Sequence, residues 1–258
     1  MKKNYYAEEH KTWYIVIMEN LFVKRLTLKR DKVEDWDQYP FCIPVIRDME
    51  QLNFRKPVSF LIGENGSGKS TILEALAVNL GLNAEGGTEN FSFETRNTTS
   101  VLSEYLSVGK LGRPRNKFFL RAESFYNFSS EMENIGREDA RIFDSYGGNL
   151  HERSHGESFI QLVKNRFGEN GLYLLDEPEA ALSPSRQMTL MCLIDQLVKQ
   201  NCQFIIATHS PILLSYREGE IIDLDDGLKV KDYRDTEIYR LYRMYLDNPE
   251  YLQHKLFD

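Results

Sequence analysis

Short apolar runs without a polar face recur along this chain. Val58-Ser59-Phe60-Leu61-Ile62, Leu172 to Leu175 and Phe204 to Ala207 have the pattern of strands covered on both sides, as in a parallel sheet flanked by helices. Pro57 precedes the first run, and a glycine-rich turn then leads into an apolar stretch predicting a helix over Ser70 to Leu80. Between the other two runs, Ser183 stands where an N-cap is expected and Pro184 at the first helical position, predicting a helix to about Lys199.

Other segments carry different signals. Trp13 to Met18 and Leu21 to Leu28, parted by Glu19-Asn20, predict an N-terminal antiparallel hairpin. From Gly86 to about Glu157 the chain is polar and broken by Gly86-Gly87, Gly109, Gly112, Pro114, Gly136 and Gly147-Gly148; only Lys117 to Ala122 has a strand pattern. Ile221 to Leu224 and Leu228 to Lys231 flank Asp225-Asp226-Gly227, which predicts a closing hairpin. Thr236 to Asp247 reads as a helix whose apolar face, with Tyr239, Tyr242 and Met244 to Leu246, is expected to pack on the core. No internal repeat or sustained heptad is present.

The fold class expected is therefore α/β, with a mostly parallel central sheet, an N-terminal antiparallel flap and an inserted, mainly helical lobe. We read a single domain over 1–258, with a core of 12–85 and 171–235, an inserted lobe of 86–170 and a C-terminal helical segment of 236–258. A composition of 41% hydrophobic and 28% charged residues is that of an ordinary globular protein. No apolar run is long enough to cross a bilayer, and the first residues lack the apolar stretch of a secretory signal, so the expected location is cytoplasmic, without membrane insertion. Cys42, Cys192 and Cys202 are odd in number and lack metal-site spacing. A net charge of −7 lowers the expectation of nucleic-acid binding; a local basic run, Lys110, Arg113, Arg115, Lys117 and Arg121, keeps it open.

Chemistry concentrates after the buried runs. Gly63-Glu64-Asn65-Gly66-Ser67-Gly68-Lys69-Ser70 satisfies G-x-x-x-x-G-K-S between a strand and a helix. In such a loop the backbone N–H groups and the helix N-terminus, here reaching Thr71, cradle phosphate oxygens; Lys69 adds charge and Ser70 offers a hydroxyl to Mg2+. Tyr173-Leu174-Leu175-Asp176-Glu177-Pro178 ends a strand on two carboxylates. Asp176 suits the metal shell, and Glu177 suits orientation and deprotonation of a water. His209 leaves the strand Phe204 to Ala207 at the same expected edge and can reach a γ-phosphate. Ser154, at a helix start beside Gly156, can make an anion site.

Taken in order, the phosphate loop, Ser154-His155-Gly156-Glu157, the strand ending in Asp176-Glu177 and the histidine after a buried strand resemble the ABC ATPase superfamily. Arg121-Ala122-Glu123-Ser124-Phe125 and Asp176-Glu177-Pro178-Glu179-Ala180-Ala181-Leu182-Ser183-Pro184 are similar to stretches of small stand-alone bacterial ATPases. The signature ends in Glu157, as in SMC-type and RecF-type ATPases. The resemblance implies a head-to-tail homodimer in which the partner's Ser154 and Gly156 cap ATP on the phosphate loop, so that hydrolysis opens the dimer. The family's switch-loop glutamine has no clear match, and Glu123 is its best substitute, near the metal. Ser183 stands where the family has aspartate. Tyr39 or Phe41 is placed to stack on adenine. The function implied is Mg-dependent ATP hydrolysis by a stand-alone ATPase in DNA maintenance or defence, acting on an unidentified protein partner. The alternative is the ATP-binding subunit of a membrane transporter.

Overall fold

Among the described residues nine strands form two sheets, and their register sets what lies at each edge. The computed structural model describes residues 21–84, 86–87, 101–123, 125 and 155–257. The strands are β1 (Val23–Leu28), β2 (Gln51–Asn53), β3 (Val58–Ile62), β4 (Leu106–Lys110), β5 (Asn116–Arg121), β6 (Gly171–Asp176), β7 (Gln203–Ala207), β8 (Glu220–Asp223) and β9 (Lys229–Lys231). The helices are α1 (Pro44–Asp48), α2 (Lys69–Asn79), α3 (Leu102–Tyr105), α4 (His155–Arg166), α5 (Pro184–Val198), α6 (Pro211–Leu214), α7 (Glu237–Asp247) and α8 (Pro249–Phe257).

The larger sheet has the order β5-β6-β7-β3-β8-β9. All its pairings are parallel except β8 with β9, the hairpin expected around Asp225-Asp226-Gly227. Every residue of β3, β6 and β7 is buried. Their side chains alternate between two cores, as the two-residue period of a strand requires. Leu61, Leu172, Leu174, Ile205 and Ala207 face the side of α2 and the antiparallel sheet. Phe60, Tyr173, Leu175, Phe204 and Ile206 face the side of α4, α5 and α6. This two-sided burial is the reason the runs lack a polar face.

The smaller sheet has the order β2-β1-β4, antiparallel throughout. The hairpin partner expected for β1, Trp13 to Met18, lies outside the described residues. Among those described, β1 pairs instead with β2 and β4, two strands that sequence pattern does not predict. In β2 only Leu52 is buried and in β4 only Leu106, so neither carries a readable run. Both β4 and β5 come from the polar stretch after Gly86, which thus contributes to the two sheets. A fully buried carboxamide joins the sheets: Gln203 Oε1 accepts from the N–H groups of Phe22 and Val23 at 2.8 and 2.9 Å, and its Nε2 donates to Val23 O at 2.7 Å. A buried amide satisfied this way costs little to desolvate and fixes one relative placement of the sheets.

Two further expectations need correction. Ser183 occupies the N-cap position of α5, but its hydroxyl lies 3.2 Å from Ser185 Oγ and accepts no helix N–H. The helix starts on Pro184 alone, whose fixed φ suits the first turn. The apolar face of α7 does not pack on the core: Leu241, Tyr242, Met244, Tyr245 and Leu246 are exposed, and α7 buries no residue. The helix begins cleanly, with the buried Thr236 hydroxyl accepting Tyr239 N–H at 3.2 Å, yet only its first turn, through Ile238, reaches the core. Periodicity reports that a face favours cover and does not say what supplies it.

Candidate active site

Strand register gathers the candidate residues before any side-chain contact does. Arg121 pairs with Asp176 across β5 and β6, Asp176 with Ala207 across β6 and β7, and Leu61 with Ala207 across β3 and β7. The phosphate loop, Asp176-Glu177 and Thr208-His209 therefore leave the sheet at one level, the C-terminal edge where open α/β sheets take ligands.

The loop's geometry explains its glycines. Gly68 has φ 99°, and a side chain there would meet Ile43 Cγ2 at 3.2 Å and Val45 Cγ1 at 3.3 Å. Gly63 has φ 151°, with Ser67 Oγ 2.6 Å from where a Cβ would stand. Only glycine takes both positions without strain. Glu64 N–H donates to Asp225 Oδ2 at 2.6 Å, so the β8–β9 turn braces the start of the loop. Lys69 Nζ donates to Gly63 O at 2.8 Å and Glu64 O at 3.0 Å. Burial pulls the Lys69 ammonium below its ordinary range, and the nearby carboxylates of Glu177, Asp225, Asp176 and Glu179 act against that.

Asp176 is buried, with Oδ1 3.0 Å from Ser70 Oγ, which donates to it, and Oδ2 3.4 Å from Arg121 Nε. Burial pushes its carboxyl up to about 6, opposed by the Arg121 charge and the Ser70 hydrogen bond. Arg121 also lies 3.3 Å from Glu74 Oε2. It is the chain's own counter-cation for this carboxylate. A cavity of about 40 Å3 is lined by Ser70, Arg121, Ala122, Glu123, Asp176 and Glu177. Glu123 lies on the wall of this cavity, while Arg121, which we read only as part of a basic run, pairs with Asp176 directly. Its position at the end of a strand beside the Asp176 strand is the signal that could have singled it out.

Glu177 adopts a left-handed φ of 49°, and its N–H donates to Ala207 O at 2.9 Å. A non-glycine residue held there is strained, and such strain clusters at functional sites. Its Oε1 lies 3.8 Å from His209 Nε2. Among the described residues, the buried polar atoms without a hydrogen-bond partner include His209 Nε2 and Ser67 Oγ, both at this edge.

Ser154 lies outside the described residues. Gly156, in the first turn of α4, is buried; a Cβ there would meet Arg186 Nη1 at 2.9 Å and Ala181 O at 3.0 Å. Arg186 pairs with Glu157 at 2.8 Å. The start of α4 is thereby pressed against the segment that follows Asp176-Glu177. Phe41 is a core residue packed against Tyr105, whereas Tyr39 is exposed, with its hydroxyl 3.2 Å from Thr71 Oγ1. Of the two aromatic candidates, only Tyr39 faces the loop side. The basic run is largely engaged within the chain: Lys110 donates to Asn79 O, Lys117 to Leu80 O, Arg115 pairs with Glu169, and Arg121 with Asp176.

A glycine loop feeding a helix, a strand ending in Asp-Glu and a histidine at the neighbouring strand end, all on one edge of a parallel sheet, define a P-loop ATPase. The chain belongs to an AAA-domain family, whose model matches residues 37–171, more than half its length. A second model, AAA ATPase domain, matches residues 149–214. It is an ATPase of the AAA/ABC type. Among its relatives is an uncharacterized ABC transporter ATP-binding protein of Haemophilus influenzae, 25% identical over 76% of this chain and 81% of that protein. The ribose import ATP-binding protein RbsA of Caldanaerobacter subterraneus is 24% identical over 74% of this chain and 40% of its own length. Similar solved structures include cbiO1 from Clostridium perfringens, part of the ABC transporter complex cbiONQ, at 17% identity and TM-score 0.42 over 80% of this chain and 90% of that one. The SMC head domain from Thermotoga maritima matches at 18% identity and TM-score 0.42 over 78% and 95%. Among the described residues no helix is long and apolar enough to cross a membrane.

Proposed function

We propose that this protein hydrolyses Mg-ATP in a head-to-tail homodimer that closes on ATP and opens after hydrolysis, acting as a stand-alone cytoplasmic ATPase. The observation that carries this reading is the convergence of Lys69, Ser70, Asp176, Glu177 and His209 at one strand edge.

The donor set fits Mg2+. Mg2+ is usually held by one or two carboxylates, waters and substrate phosphates. Ser70 and Asp176 supply hard oxygens in a cavity that would suit one small hydrated ion, with Glu123 on its wall. Ser70 and Asp176 would hold the ion, which would supply positive charge to offset that developing on the phosphate in the reaction.

The chain's own residues do the rest. Backbone N–H groups of the loop Gly63 to Thr71, apart from the Glu64 N–H that Asp225 holds, hold the phosphates, and Lys69 exchanges its two loop carbonyls for phosphate oxygens. Glu177 orients the attacking water and takes its proton, and His209 Nε2, beside Glu177, contacts the γ-phosphate. Tyr39 covers the adenine. Ser154 and Gly156 of each protomer cap the nucleotide of the other, and Arg121 holds Asp176 when metal is absent.

Glu177→Gln tests the reading. With Mg-ATP the variant should double its mass in light scattering while phosphate release falls by about 10²–10⁴-fold, the usual worth of a general base. A variant that stays monomeric with ATP bound would rule out the homodimer. It would favour a transporter subunit that closes only with a membrane partner, a reading to which the names of the two relatives lend weight.

A further inference from the structure

One carboxylate at this edge has no place in the scheme above. Glu179 lies two residues beyond Glu177, in the short 3-10 turn Pro178–Ala181. Both its oxygens are used, and both by the loop that follows β7. Oε2 accepts the Thr208 hydroxyl at 2.7 Å, and Oε1 accepts His209 N–H at 2.5 Å. Thr208 is fully buried, and its Oγ1 in turn accepts Ser210 N–H at 3.0 Å. Ser210 Oγ donates to Gln187 Oε1 at 2.5 Å, and Gln187 Nε2 donates to Leu182 O at 3.0 Å. Leu182 closes the same turn from which Glu179 projects.

The consequence is mechanical. The loop bearing His209 is fastened at two points to the segment Glu177–Leu182, once by the Glu179 carboxylate and once by the Ser210–Gln187 pair. That segment also touches the start of α4, through Ala181 O beneath Gly156. Charge-assisted bonds from a carboxylate are about twice as strong as neutral ones, and the His209 backbone receives one of them directly. The His209 ring's Nε2 lacks a hydrogen-bond partner and lies 3.8 Å from Glu177 Oε1. Its aim therefore depends on its backbone, which Leu61 O holds at Thr208 N–H, 3.2 Å, and Glu179 holds at His209 N–H.

We propose that Glu179 is a positioning residue for hydrolysis: it sets the Thr208-His209 backbone so that His209 meets the γ-phosphate, and it makes that placement follow any movement of the segment between Glu177 and α4. The proposal rests on His209 contacting the γ-phosphate, as read above. Because Glu179 acts through His209, it contributes nothing once the imidazole is gone.

A double-mutant cycle in the full chain tests this, with steady-state phosphate release as the readout. His209→Ala should lower kcat by about 10²-fold. Glu179→Ala should lower kcat by about tenfold or more, with KM for ATP changed by less than about twofold, since only placement in the reacting complex is lost. The double variant should match His209→Ala alone. Thr208→Val removes one of the two carboxylate bonds, together with the acceptor of Ser210 N–H, without altering Glu179, and should give a smaller loss that also vanishes in the His209→Ala background. If Glu179→Ala does not fold, the cycle stands on Thr208→Val. Multiplying losses in the double variant, or a Glu179→Ala protein with unchanged kcat, would overturn the proposal while leaving His209 in its role. A silent His209→Ala would overturn both, and the two failures are thus distinguishable.

Discussion

The C-terminal edge of the parallel sheet and the C-terminal helices α7 and α8 contrast sharply in how sequence pattern became structure. At the sheet edge, strands buried on both faces end in polar residues, and register alone brings Arg121, Asp176 and Ala207 level. Little freedom remains there. In α7, an amphipathic pattern as clear as any in the chain yields a helix with no buried residue, and Leu246 is 72% exposed. The comparison teaches that an apolar run without a polar face implies cover on both sides and therefore a place in the fold. A one-sided pattern implies only that one side is apolar.

Three variants bear on this contrast, beginning with the largest effect. Leu174→Ala, in the middle of β6, should destabilise the protein by about 2–5 kcal/mol in urea denaturation, the cost of emptying a fully buried leucine site. A loss under about 1 kcal/mol would mean that the sheet interior tolerates vacancy and that the contrast is overstated.

Asp176→Asn sharpens the electrostatic side. In the metal-free and nucleotide-free protein its carboxyl is raised to about 6 from 3.8. The folded state therefore holds more protons than the unfolded state between those values, so stability falls as pH rises through that window and stays lowered above about 6. A shift of this size corresponds to at most about 3 kcal/mol. Arg121 loses one partner in the variant and keeps Glu74, so we expect a gain of about 1–2 kcal/mol at pH 7.5. The fall in stability between pH 4 and 6 should flatten as well. Denaturation curves at pH 4, 5, 6 and 7.5 read this directly, and an Asn variant less stable than wild type at pH 7.5 contradicts it.

Leu246→Ser, on the exposed face of α7, should change stability by less than about 0.5 kcal/mol, as for surface positions elsewhere. A loss of 2 kcal/mol or more that depends on protein concentration would show that another copy covers this face.

Much of the site is legible before any folding is considered. The loop Gly63 to Ser70 names its ligand chemistry because few other uses need glycines, a lysine and a hydroxyl at that spacing. Asp176-Glu177 and His209 are legible because each directly follows an apolar run, and runs of that kind end at ligand-binding edges. Arg121 and Glu179 escaped because their partners are distant in sequence: Arg121 meets Asp176 through strand pairing, and Glu179 meets His209 through a turn. The antiparallel sheet was legible only in β1. Strands β2 and β4 each bury a single residue, Leu52 and Leu106, and their pairing with β1 supplies what their residues do not advertise.

Local composition by itself determined the buried strands, the phosphate loop, the helices that follow β3 and β6, and the closing hairpin, because backbone period and glycine chemistry act over a few residues. Tertiary structure alone decided that Arg121 neutralises Asp176, that Glu179 grips the His209 backbone, that Gln203 joins the two sheets and that α7 leaves its apolar face uncovered. Those outcomes depend on which distant segments meet, and a pattern read along one segment carries no record of what arrives to face it.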